Sequence, residues 1–296
     1  MASPTEPTHG KLGALYLLFP NGFVGAGLND LSWGTGYNGG ASAIFEVEID
    51  AADTPDTFKW RKDGGAWTED VAITGEAQTL SDTQTITFAA TTGHTLGDKW
   101  LIGNLVAEGT TESAAQAQIT EATRRRINPN APPVWTDSGG APLQIVDYVN
   151  GKGYFGANVA TVTVAGNNGF IPEGALRQVG YLIDCALNIS LDMADNTSQG
   201  DHWKSALPGQ AGGSGSASAY FIAAQTLFDL INEGLVGDNY FLIEFFTYDP
   251  DQDQTGDHFY CWATFSGWGV ANKINEVVKE NISFQIDGIL SFVSQD

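Results

Sequence analysis

The sequence predicts a mainly β protein, a β-sandwich with one α-helix and long loops, in which a small all-β sandwich stands out as a stretch of its own. Three observations carry this. Several short segments alternate apolar and polar residues, as half-buried strands do. Aromatic residues make up 11% of the chain and glycine occurs 36 times, a mixture of strand formers and turn residues. Turn signals separate the segments at short intervals, and only one stretch has clear helical spacing.

In order, LGALYLLF (12–19) reads as a first strand, followed by a Gly-rich loop over 22–40. FEVEID (45–50) sets Phe45, Val47 and Ile49 against Glu46, Glu48 and Asp50, a half-buried strand. FKW (58–60) and AWTEDVAI (66–73) flank RKDGG, a tight turn of the Asp-Gly kind. TQTITFAA (83–90) alternates again and GDKWLIG (97–103) follows, so residues 41–103 predict a small all-β unit. The Ala-rich ESAAQAQITEATRRR (112–126) predicts a helix with Arg124, Arg125 and Arg126 at its negative pole, stopped by NPNAPP. Strands return over 143–149, 153–164 and 178–194, the last as one long arm of a hairpin. LPGQAGGSGSAS (207–218) reads as a loop, and AYFIAAQTLFDLINEG (219–234) as the one clear helix. Strands over 239–248 and 258–268 flank a polar turn. The last strand, 281–292, puts Ile282, Phe284 and Ile286 on one face and Ser283, Gln285 and Asp287 on the other.

The bulk numbers exclude several function classes. A hydrophobic fraction of 42% permits a packed core. A net charge of −22, from 13 Lys and Arg against 35 Asp and Glu, argues against nucleic-acid capture, which needs cations to neutralise phosphates. Cys185 and Cys261 lie in apolar, strand-like runs, so two buried free thiols and synthesis in a reducing compartment are expected. The N-terminus lacks the basic and apolar regions of a signal peptide, and no apolar run approaches a membrane span, so no membrane binding is expected.

Catalytic constellations are missing. His9, His94, His202 and His258 have no partner at metal-site spacing, and no nucleophile elbow or phosphate-binding loop occurs. Asp251, Asp253 and Thr255 fit the first positions of a calcium loop, but Trp262 stands where the bidentate carboxylate belongs. That loop is a weak cation candidate; otherwise no catalytic residue, metal or cofactor is expected. The Arg triplet is the only basic cluster, and reads as a solvated helix end or as an ion-pair site between subunits.

The order RRRINPNAPPVWTDSGG (124–140), GKGYFGANVATVTV, GYLIDCALNISLDMADNTSQGDHWKSALPGQAG, FFTYDPDQDQTGDHFYCWATFSGW and INEVVKENISFQIDGILSF resembles the tail tube (major tail) protein of long, flexible-tailed bacteriophages. Glu276, Val277, Glu280, Phe284, Gln285 and Gly288 match that family's last-strand pattern. The resemblance assigns 1–40 and 104–296 to a tail-tube β-sandwich, with 41–103 as an inserted outer Ig-like β module. Gly36–Gly40 and Gly103–Asn104 are then the joints.

The resemblance implies a structural, non-enzymatic virion protein made in the host bacterial cytoplasm. Six subunits form a ring, rings stack into a tail tube, and DNA passes through the bore at ejection without specific binding. Tape measure and tail terminator proteins are implied partners. Subunit-interface candidates are Arg124, Arg125 and Arg126, with Ile282, Phe284 and Ile286. A ring would multiply −22 six-fold, and the acidity is expected to line the bore and repel phosphate. The alternative is a two-domain β carbohydrate-binding or adhesin-type virion protein, whose eight tryptophans would stack on sugars. An enzyme is the third option and has no motif behind it.

Overall fold

Alternating and β-branched segments become strands along the whole described chain. The computed structural model describes residues 14–25, 27–175, 177–195, 206–221, 241–246, 258–271 and 279–293. The strands are β1 (Ala14–Leu18), β2 (Phe23–Val24), β3 (Leu31–Trp33), β4 (Ala43–Ala51), β5 (Thr57–Lys62), β6 (Thr68–Ala72), β7 (Gln78–Thr79), β8 (Thr85–Phe88), β9 (Lys99–Ser113) and β10 (Gln116–Ile119). There follow β11 (Val134–Asp137), β12 (Leu143–Asp147), β13 (Lys152–Phe155), β14 (Val162–Phe170), β15 (Arg177–Asp195), β16 (Ala206–Phe221), β17 (Phe241–Phe246), β18 (His258–Ala271) and β19 (Lys279–Val293). Among the described residues the helical elements are two 3-10 turns, Ala122–Arg124 and Glu173–Ala175.

Two expectations are corrected, and a third falls mostly outside the described residues. The helix over 112–126 is the end of β9, a turn, β10 and a 3-10 turn. Ala117 and Ile119 are buried while Gln116 is exposed, so the segment has a period of two that its alanine content masked. The loop over 207–218 is strand β16, with Gly213 and Ala217 buried and Ser216 exposed. Glycine is required there: a Cβ on Gly215 would lie 2.3 Å from the Phe284 ring. Of the helix over 219–234, Ala219–Phe221 belong to β16 and the remainder lies outside the described residues. The RKDGG turn is as expected, with Asp63 and Gly64 both at positive φ, the pair a type I′ hairpin demands.

The two ends of the chain make a closed antiparallel barrel in the order β1-β15-β16-β19-β18-β17. Phe241, Ile243, Cys261, Ala263, Ile282, Phe284 and Ile286 fill one continuous core with Ala217. The stretch between, residues 19–175, forms a ten-stranded sheet and a three-stranded sheet, β3-β8-β7. Val47, Ile49, Phe58, Ile86, Phe88 and Trp100 are fully buried in this middle region.

The outward side chains of β1, β17 and early β18 seat the middle region on the barrel. Leu18, Leu242 and Trp262 pack with Phe45, Leu101 and Ile102. Phe19 meets Phe241 edge-on at 5.2 Å. Polar contacts add direction: Tyr260 donates to Asn150 at 2.7 Å, and Asn150 donates to Ser291 at 2.6 Å. Burial at this seam raises the Tyr260 pKa.

Within the middle region the expected joint at Gly103–Asn104 falls inside β9, which runs on to Ser113 and pairs with β2, β4, β10 and β14. Buried amides cross the same point. Asn104 donates to Gln84 at 3.0 Å, and the Asn168 N–H donates to Asn104 at 2.8 Å. Gly103 is glycine because the Phe170 ring covers it; a Cβ would lie 2.1 Å from that ring. Gly103→Ala is therefore expected to destabilise the protein by about 1–3 kcal/mol, read from the midpoint of denaturant unfolding.

Candidate assembly surface

The barrel's strands differ greatly in length. β15, β16, β18 and β19 are 19, 16, 14 and 15 residues long, against 5 and 6 for β1 and β17. β1 covers β15 only over Arg177–Tyr181, and β17 covers β18 only over His258–Ala263. Beyond those points the four long strands continue as an open sheet. One row across it is Leu187, Gly215, Phe284 and Phe265. Among the described residues, Leu182–Asp195 has no partner strand beyond β16's side, and Thr264–Ala271 has none beyond β19's side. Among the described residues these two stretches therefore have a strand on one side only.

The two faces of this sheet are chemically different. One carries the core residues Ile282, Phe284 and Ile286; the other presents Ser283, Gln285 and Asp287, all exposed. Ile189, on the apolar face near the end of β15, is 62% exposed and overhangs a hollow of about 180 Å³ between Gly213, Ile286 and Leu290. Along β15, Asp184, Cys185, Ala186 and Asn188 are exposed too. Cys185 is therefore not a buried thiol as expected; Cys261 is, and burial pushes its pKa up to about 12.

Ile282, Phe284 and Ile286 are 2%, 1% and 8% exposed, so the barrel interior takes up their apolar face. Any subunit contact through β19 must use its other face or the edges. The Arg triplet also turns inward on the chain. Arg124 pairs with Glu108 at 2.6 Å. Arg125 donates to the carbonyls of Ile119 and Thr120 at 2.8 and 3.1 Å. Arg126 reaches Glu244 of β17 at 3.7 Å and Glu173 at 3.9 Å, joining the middle region to the barrel by charge.

One polar constellation went unseen in the sequence. His94 is buried between two carboxylates, with Nε2 2.9 Å from Asp30 and Nδ1 2.9 Å from Asp56. The His94 backbone N–H also donates to Asp56 at 3.0 Å. Asp30, Asp56 and His94 come from three separate loops, so no short spacing could reveal them. Burial opposes charging the imidazole, but the hydrogen bonds and charges of Asp30 and Asp56 outweigh it and hold the pKa above 6.5. Burial likewise opposes ionising Asp56, and the His94 amide and ring outweigh it, holding that carboxyl below 3.8. With no exposed side-chain surface, His94 serves as a clamp on three loops.

The calcium-loop residues Asp251, Asp253 and Thr255 lie outside the described residues. Among the described residues no group of three or more His, Cys, Asp or Glu is placed to hold a metal. Of the tryptophans, Trp100, Trp135 and Trp262 are buried, and Trp67 is covered by Lys59 and Arg61 at 4.8 and 4.3 Å.

No protein-family model and no curated protein matches the chain. Solved structures do. The tail of an empty gene transfer agent particle, refined with C6 symmetry, matches at 18% identity and a TM-score of 0.32, over 41% of this chain and 89% of that one. The six-fold symmetrised baseplate of the anti-feeding prophage matches at 10% identity and a TM-score of 0.33, over 41% and 85%. The SPP1 tail tube matches at 12% identity and a TM-score of 0.31, over 38% and 64%. Each of these similarities spans about two fifths of this chain.

Two outcomes test these contacts. The stability from His94 is complete below 6.5 and is lost as pH rises through its raised folded-state value; that from Asp56 is complete above 3.8 and lost as pH falls through its lowered one. Both are present between 3.8 and 6.5, so the unfolding temperature should fall as pH rises above that window. His94→Gln should lower stability by about 3 kcal/mol inside it and flatten the decline above it, as calorimetry across pH would show. Arg126→Ala should cost the isolated subunit about 3 kcal/mol by leaving Glu244 buried without its cation, and a double-mutant cycle with Glu244→Gln should recover most of that loss.

Proposed function

We propose that this chain is a structural subunit of a virion tail tube. Copies pair edge to edge through the open four-stranded sheet, six copies close a ring, and rings stack into a tube through which DNA passes at ejection. The observation that supports the reading is that, among the described residues, Leu182–Asp195 and Thr264–Ala271, on opposite sides of one sheet, have a strand on one side only. A sheet with one open edge makes dimers; a sheet with two can propagate, and curvature closes it. The number six comes from the family that the sequence resembles, as do the tape measure and terminator partners.

The middle region is then an outer part carried on the tube wall. Its joints to the barrel are Phe19–Pro20 and the residues around Ala175, and residues 41–103 are one portion of it. Of the tryptophans the carbohydrate-binding alternative would use, Trp100, Trp135 and Trp262 are buried, Trp67 lies under Lys59 and Arg61, and Trp33, Trp60 and Trp268 are half-buried against the core.

Electron microscopy of concentrated protein should show rings or tubes. Ile189→Lys, a charge at the rim of one open edge, should abolish them while leaving the subunit's circular dichroism and unfolding midpoint within about 0.5 kcal/mol of wild type, as surface changes do. Monomers alone from the unmodified chain under all salt conditions, or tubes undiminished in Ile189→Lys, would count against edge pairing.

A further inference from the structure

We infer that Asn38 is a site of spontaneous covalent modification. Its side-chain amide is lost to attack by the Gly39 nitrogen, leaving aspartate or isoaspartate in the connection between β3 and β4. The other Asn-Gly pairs of the chain are held back by the fold. The inference is independent of the tube reading.

The chemistry needs only the chain and water. Gly39 has no side chain to hinder its backbone nitrogen, and that nitrogen follows directly on the Asn38 amide. Hydroxide removes the Gly39 N–H proton, and the nitrogen forms a bond to Asn38 Cγ. The bond from Cγ to the side-chain nitrogen breaks, and that nitrogen takes up a proton and leaves as ammonia. The product is a cyclic succinimide. Water then adds to either ring carbonyl and breaks its bond to the ring nitrogen. One opening gives aspartate; the other gives isoaspartate, whose main chain runs through the former side chain.

Asn-Gly occurs at 21–22, 38–39, 150–151 and 168–169, and the structure treats the four differently. Asn21 donates to Asn29 at 2.7 Å, and the Gly22 N–H is already given to the Phe19 carbonyl at 2.8 Å. Asn150 donates to Asp147 at 2.7 Å and to Ser291 at 2.6 Å, and accepts from Tyr260 at 2.7 Å. Asn168 is 6% exposed and donates to the Gly34 carbonyl at 3.1 Å. Asn38 is exposed. Among the described residues neither its side chain nor the Gly39 N–H has a hydrogen-bond partner.

Packing also fixes glycine at position 39. A Cβ there would lie 2.0 Å from the Tyr37 hydroxyl oxygen. That hydroxyl donates to the Ala41 carbonyl at 2.7 Å, and the buried Tyr37 ring meets Phe45 edge-on at 5.7 Å. A bulkier residue, which would slow the attack, is therefore kept out by the core. The reactive pair is a consequence of how Tyr37 is seated.

The product alters a pinned corner. The Asn38 N–H donates to the Asp82 carbonyl at 2.9 Å, Lys62 binds the Asp82 carboxylate at 2.7 Å, and the Thr83 hydroxyl donates to the Gly36 carbonyl. Modification adds a negative charge here. As isoaspartate it also lengthens the main chain between the Asn38 N–H and the Ala41 carbonyl, both of which are held.

Peptide mapping tests this. The unmodified chain is incubated in mildly alkaline buffer, folded and, in parallel, unfolded in guanidinium chloride. After digestion, mass spectrometry follows at each Asn-Gly the mass gain from replacing NH2 by OH, and fragmentation separates aspartate from isoaspartate. At Asn38 the folded rate should match the unfolded one. At Asn21, Asn150 and Asn168 the folded rate should be lower by at least about ten-fold, because those sites react only through local opening. The folded protein should also gain an earlier and a later peak on anion exchange, the later one carrying the added charge and absent from Asn38→Gln, whose unfolding midpoint should be unchanged. Protection of Asn38 in the folded chain as strong as at the other three would overturn the inference. So would a folded rate at any of those three equal to that at Asn38, or a later peak that persists in Asn38→Gln.

Discussion

Backbone hydrogen bonding is the constraint on which the rest of this molecule depends. Four strands of 14 to 19 residues cannot be closed into a barrel by two strands of 5 and 6. Near β1 and β17 every strand has two neighbours and the barrel is complete. Beyond them, among the described residues, β15 and β18 each have a strand on one side only, and edges of that length are an aggregation hazard unless something covers them. Proteins usually blunt such edges with Lys, Pro or a bulge pointing outward. Here Asp184–Ser190 reads DCALNIS, with no Lys or Pro. Both edges do carry register shifts, at Leu182/Asp184 and Leu191/Met193 of β15 and at Phe265/Gly267 of β18.

The middle region answers a different physical need. The outward faces of β1, β17 and early β18 carry Leu18, Leu242 and Trp262, which would be costly to leave in water. Phe45, Leu101 and Ile102 cover them, and the polar seam through Tyr260, Asn150 and Ser291 fixes the orientation. On the opposite side β16 and β19 present Ser216, Ser283, Gln285 and Asp287, all exposed. The same docking consumes Arg126, the most shielded member of the only basic cluster. Arg124 and Arg125 likewise find partners within the chain, at Glu108 and at the Ile119 and Thr120 carbonyls.

Much of this was legible in the sequence where side-chain periodicity was strong. FEVEID became β4 with strict alternation of burial, and ISFQI became the core stripe of β19. The Asp-Gly turn came out as read because its backbone angles are local chemistry. The failures were also physical. ESAAQAQI has helix-forming composition, but pairing with neighbouring strands outweighs propensity of a few tenths of a kcal/mol per residue. GGSGSAS looks like a loop until the large side chains of β19 are seen to need small neighbours beneath them. The joint at Gly103–Asn104 followed from the resemblance to an inserted module, and Gly103 makes room for Phe170 inside the continuous strand β9. His94, Asp30 and Asp56 were individually ordinary, and only the fold brings them together. The open edges were the least legible feature, because an edge is defined by what fails to pair.

Hydrogen–deuterium exchange on dispersed and assembled protein tests the central claim most directly. Amides in Leu182–Asp195 and Thr264–Ala271 should pass from fast to slow exchange on assembly, while those of β6, at the outer edge of the middle region, stay unchanged. Assembly that leaves both barrel edges exchanging as quickly as in the free subunit would contradict it.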